Sequence, residues 1–83
     1  MSTIVRTGKQ FGAILRRYRR QKNLTQLSLG NLMHARQATV SKLESGGRGM
    51  QLGILIDALT ALDLELVVRP RTKAAAQDIE ELF

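Results

Sequence analysis

The stretch TQLSLGNLMHARQATVSKLESG, residues 25–46, constrains the fold of this chain more than any other. It reads as two short helices joined by a tight turn. Thr25 is a good N-cap, because its hydroxyl accepts from a first-turn N–H that has no partner within the helix, and Gln26 takes the first helical position. Leu29, Leu32 and Met33 follow at helical spacing and are expected to face inward. Gly30 sits in mid-helix, where glycine costs about 1 kcal/mol relative to alanine. Its presence predicts a close backbone approach, here by the following helix. A turn around His34-Ala35 leads into a helix over about residues 36–45. Its Val40 and Leu43 point inward, with Arg36 toward that side, and Gly46-Gly47 stop it.

The flanking segments supply the rest of one small domain. From about Gly8, Phe11, Ile14, Leu15 and Tyr18 form an i, i+3, i+4, i+7 stripe on an amphipathic helix. Arg16, Arg17, Arg19 and Arg20 occupy its other faces, Asn23 ends it, and Leu24 follows as an inward anchor. The GGRG loop of residues 46–49 opens into a fourth helix over about 50–62, with Leu52, Leu55, Ile56 and Leu59 as the expected core stripe. Ile54, Ala58 and Ala61 widen its apolar band beyond what one core needs, which implies a second packing partner. Past Asp63 the period becomes two. Leu64, Leu66 and Val68 share one face, Glu65, Val67 and Arg69 the other, and Pro70 ends the run. A lone strand cannot satisfy its own backbone. Its neighbour is either the N-terminal segment or the same strand of a second copy, and the second copy is the reading adopted. Accordingly residues 1–7 are expected to be an extended segment, 8–63 the helical domain, 64–69 a dimerisation strand through Leu64, Leu66, Val67 and Val68, and 70–83 a tail. Within the tail, Ile79, Leu82 and Phe83 either dock on a partner or are disordered, and disorder is preferred.

Charge placement says more than the net +6. Residues 1–43 hold nine Lys or Arg and no acid, and all seven acids lie from Glu44 onward. A basic half of this kind is the footprint of a polyanion partner. On the third helix, Gln37, Ala38, Ser41, Lys42 and Ser45 fall on or beside the outward face. Their chemistry suits base edges in a major groove. Gln37 can pair bidentately with adenine, the Ala38 methyl can touch a thymine methyl, and Ser41 and Lys42 can bond bases or phosphates. Gln26 with the backbone N–H groups at its helix start, and Arg48 near the start of the fourth helix, are expected to grip phosphates.

Residues 8–62 resemble the XRE family, the Cro/phage-repressor type of helix-turn-helix. Thr25-Gln26, the small Gly30, apolar Val40 and Leu43, and Glu44-Ser45-Gly46 carry the resemblance. It implies an all-α, lambda-repressor-like helix-turn-helix bundle, to which this chain is expected to add the short C-terminal β-strand paired across a dimer. It also implies base reading at or beside Gln37, Ala38, Thr39 and Lys42 and a phosphate grip by Gln26; from the residues themselves, Ser41 is expected to join the base readers and Thr25, Arg36, Ser45 and Arg48 the phosphate contacts. Family members commonly pair a helix-one arginine with the glutamate at the position of Glu44, so Arg19 and Glu44 are expected to form a structural ion pair. His34 departs from the family, which usually has glycine there at positive φ. Histidine is among the residues that tolerate that conformation, at some cost. The wording RQATVSKLESG, then a helix, then LDLELVVRP, is similar to HipB-type antitoxins. That similarity implies a homodimer on palindromic double-stranded operator DNA that also restrains a HipA-type kinase toxin. The alternative is a stand-alone XRE-family repressor without a toxin.

An enzyme is not expected. There is no cysteine and only one histidine, the acids are scattered, and the GGRG loop follows a helix and lacks a Walker lysine. No cofactor or metal is expected. With no apolar run near membrane-span length and no secretory h-region, the expected location is the cytoplasm, without a membrane partner.

Overall fold

The computed structural model describes residues 3–71. Four helices follow in order: α1 Gly8–Gln21, α2 Gln26–Leu32, α3 Gln37–Glu44 and α4 Leu52–Ala61. α1 and α2 begin with side-chain caps. The Thr7 hydroxyl accepts from the Gln10 N–H, and the Gln10 side chain accepts from the Arg6 N–H. At α2, Thr25 and Ser28 cap each other reciprocally, each side chain accepting from the other's backbone N–H. α3 and α4 start at Arg36 and Gln51 with no side-chain cap.

All four helices stop in the same way. Asn23, His34, Gly46 and Asp63 follow their C-caps at φ of 57°, 55°, 77° and 58°. In each case the next N–H reaches back to the carbonyl five residues earlier: Leu24 to Arg19, Ala35 to Gly30, Gly47 to Lys42 and Leu64 to Leu59. A second bond closes each left-handed turn, as in His34 N–H to Asn31 C=O. This double bond pattern is the Schellman motif. Leu24, Ala35 and Leu64 then tuck against the core, so the stop also anchors the chain.

Leu15, Leu29, Val40, Leu43 and Leu62 form the most deeply buried part of that core, joined by Met33, Ala58 and Leu59. Burial of each large aliphatic side chain contributes about 1.5–3 kcal/mol. α3 lies against both α1 and α2, and small residues permit the approach. A Cβ on Gly12 would overlap the Glu44 carbonyl oxygen, and one on Gly30 would stand 2.7 Å from the Ala35 carbonyl oxygen.

Several side chains differ from the sequence expectation. Leu32 is 56% exposed. The buried arc of α2 runs through Leu29, Met33 and Gly30, and at 100° per residue its centre lies roughly 100° from Leu32. α4 is rotated by about 60° relative to its expected stripe on the same geometry. Ala58, Leu59 and Leu62 are buried, whereas Leu52 and Ile56 are exposed. A small alanine centres the contact where large residues had been expected. Arg36 is exposed rather than turned toward the core.

The expected β-strand over 64–69 is not seen among the described residues. Leu64 belongs to the α4 stop and is half-buried. Leu66, Val67 and Val68 are exposed, and the segment makes no ladder with residues 3–7. The physical reason is the one that makes any lone strand unstable: its backbone groups have no neighbour within the described chain. The expectations for Ile79, Leu82 and Phe83 lie outside the described residues.

Candidate nucleic-acid interface

α3 presents Gln37, Ala38, Ser41 and Lys42 to solvent, with Ser45 and Arg36 exposed at its two ends. Thr39 is half-buried, on the flank nearer the core. The exposed set follows from the position of Val40 and Leu43, whose burial fixes the rotation of the helix. Because Arg36 makes no side-chain cap, the first N–H groups of α3 point outward without a side-chain acceptor. Ser45 donates its hydroxyl to the Lys42 carbonyl. Arg48, in the loop before α4, is exposed.

Glu44 is the acid nearest this face, and it is turned inward. Arg19 Nε donates to Glu44 Oε2 at 2.5 Å and Arg19 Nη2 to Oε1 at 3.0 Å, a side-on pair. Both side chains are at least nine-tenths buried. The remaining Arg19 nitrogen donates to the Leu24 carbonyl at 2.8 Å. Hydrogen bonding to Glu44 holds the Arg19 guanidinium above its ordinary pKa, against the opposing pull of desolvation. Breaking such a pair strands a buried charge, at a cost of about 3–5 kcal/mol. No described buried side-chain polar atom lacks a partner.

Gln26 also reaches this centre. Its Nε2 donates to Glu44 Oε1 at 3.3 Å, which ties the start of α2 to the end of α3. One amide hydrogen and the carbonyl oxygen of Gln26 remain to meet a ligand. Thr25 is exposed, and its hydroxyl is engaged with Ser28 in the cap that starts α2. Ser28 and Gly12 were not singled out from sequence. The Thr-x-x-Ser spacing and the four-residue interval between Gly8 and Gly12 are the signals that mark them.

The arrangement is a polar, cation-rimmed convex helix face with uncapped backbone donors at one end. It offers hydrogen-bond donors and acceptors but no catalytic constellation. Among the described residues no group of three or more His, Cys, Asp or Glu is placed to hold a metal ion. No described helix is long and apolar enough to cross a membrane.

Residues 10–71 match the family described as "Helix-turn-helix domain". Among curated proteins none matches the sequence significantly. Of solved structures, a chain of the HipA–HipB–O2–O3 complex has a TM-score of 0.78 at 21% identity, covering 86% of this chain and 100% of that one. The HipB–O4 20mer complex gives the same values. The restriction-modification controller protein C.AhdI from Aeromonas hydrophila is 34% identical over 70% of this chain and 84% of that one, with a TM-score of 0.65. The fold, the matched span and the controller-protein identity agree: the chain belongs to the helix-turn-helix family, in its XRE-type branch of DNA-binding regulators.

Proposed function

We propose that the protein is a sequence-specific transcriptional repressor that binds palindromic operators as a homodimer and serves as the antitoxin of a HipA-type kinase toxin. The observation that carries the DNA reading is the exposed Gln37, Ala38, Ser41 and Lys42 face, with its nearest acid, Glu44, neutralised inside by Arg19. Gln37 and Ala38 read bases at the start of α3. Ser41 and Lys42 follow one turn later, and Thr39 contributes from the flank. Gln26, Arg36, Ser45 and Arg48 grip phosphates, and Thr25 sets the position of Gln26. Dimerisation through residues 64–69 supplies the neighbour those exposed apolar residues lack.

Two classes of variant separate base reading from phosphate grip. Gln37→Ala should cost about 1–3 kcal/mol at one operator position and relax base choice there. Gln26→Ala or Arg48→Ala should weaken all sequences alike, and Arg48→Ala should also flatten the salt dependence. Unchanged binding to every duplex by both Gln37→Ala and Lys42→Ala would remove α3 as the reading helix.

The likeness to a chain of the HipA–HipB–O2–O3 complex supports the antitoxin role. The 34% identity to the controller protein C.AhdI favours the second reading, a stand-alone repressor. Native mass measurement after affinity capture from the host lysate decides between them. A stoichiometric larger protein supports the antitoxin, whereas recovery of the 9.2 kDa chain alone leaves the repressor.

A further inference from the structure

We propose that the acidic C-terminal segment of this chain, residues 78–81, docks on the outer face of α1. That face carries Arg16, Arg17 and Arg20, all exposed, around a shallow groove floored by Ala13. Positions 13, 16, 17 and 20 are neighbours on a helix surface, and like charges four residues apart, as at 16 and 20, repel. Among the described residues no carboxylate pairs with any of the three. Among the described residues, Glu44 pairs with Arg19 and Asp63 with Lys22. Three guanidiniums within one and a half turns therefore present several forked donors to solvent, a geometry that fits carboxylates bidentately.

Charge complementarity within the chain names the occupant. Residues 3–71 hold twelve Lys or Arg against four acids, a net of +8 (12 − 4). Residues 72–83 hold one lysine against Asp78, Glu80 and Glu81, a net of −2 (1 − 3). The structure also brings the exit of the helical bundle to the right end of α1. Lys22 Nζ donates to Asp63 Oδ2 at 2.8 Å, so α4 ends beside the residue that caps α1, two positions from Arg20. Seven positions separate Arg71, the last described residue, from Asp78, enough to span up to about 25 Å at 3.3–3.6 Å each. Arg16 and Arg20 lie about 6 Å apart along the helix axis. Each exposed pair is weak, but tethering sets an effective concentration in the millimolar range. The contact is accordingly salt-labile, and it shields part of the protein's cationic surface from polyanions.

The test uses the full chain without DNA, so its result does not depend on the proposed operator binding. Backbone amide resonances of residues 13–20 are compared, at low salt, between wild type and the Asp78→Asn/Glu80→Gln/Glu81→Gln variant. Neutralising the acids should shift these resonances, and 0.5 M NaCl should shift the wild type toward the same positions. Arg16→Gln/Arg17→Gln/Arg20→Gln should in turn shift the resonances of residues 78–81, with the dispersion of the spectrum reporting that the fold is intact. Superimposable α1 resonances in wild type and the acid-neutralised variant would overturn the proposal.

Discussion

Gly12 and Gly53 share an amino acid and a secondary structure but have opposite surroundings. A Cβ at Gly12 would overlap the backbone of Glu44, whereas one at Gly53 would meet nothing within 4 Å. Gly12→Ala should therefore destabilise by about 1–3 kcal/mol or more, because α1 and α3 must move apart. Gly53→Ala should stabilise by about 0.5–1 kcal/mol through helix propensity alone. Chemical denaturation of the two variants checks the pair of signs. His34 holds φ 55°, a conformation that costs a residue with a Cβ roughly 1–2 kcal/mol. Part of that is offset by the backbone entropy glycine loses, so His34→Gly should gain about 0.5–1 kcal/mol, or roughly 4 °C in Tm for a domain this size. Asp63 at the corresponding stop of α4 is fully exposed. Its hydrogen bond from Lys22, reinforced by the charge of that lysine, holds its carboxyl below the ordinary value. A lowered carboxylate pKa contributes stability above the unfolded-state pKa and loses it as pH falls through the folded one. Melting curves of wild type and Asp63→Asn should differ near neutral pH and converge only as the pH falls from the ordinary aspartate value through the lowered folded-state one.

At the scale of elements, what was legible depended on how local the signal was. α1, α2 and α3 announced themselves through Thr25, the apolar spacing and Gly46, all of which act within one helix or its first neighbour. The stops at Asn23 and Gly46 were likewise readable, since left-handed turns favour those residues. The facing of α4 was not legible, because Leu52 and Ile56 outweigh Ala58 in hydrophobicity, yet Ala58 is fully buried and both of them are exposed. Residues 64–69 illustrate the limit from the other side. Their alternation was clear, but a strand is a property of two segments, and Leu64 has a prior commitment to the end of α4. The site divides along the same line. The outward face of α3 follows from helical geometry once Val40 and Leu43 are inside. The bond from Gln26 to Glu44 joins residues eighteen positions apart, and no periodicity reports it.

For the whole molecule the proposed second copy is the partner that its exposed apolar surface would engage. Leu66, Val67 and Val68 are 56%, 68% and 91% exposed, and Leu52 and Ile56 add apolar surface on α4. If residues 64–69 pair across a two-fold axis, Val67→Glu should move sedimentation from dimer toward monomer, while a single chain retains its helical circular dichroism. The dimer should protect half-sites about 34–36 Å apart. The Arg19–Glu44–Gln26 centre has a consequence for how such a protein changes over time. It locks three helices together, and none of its members is among Gln37, Ala38, Ser41 and Lys42. Substitutions on that face therefore leave the lock untouched, so under the proposed DNA reading new operator preferences are accessible without passing through unfolded intermediates: the scaffold is conservative and its vocabulary is not.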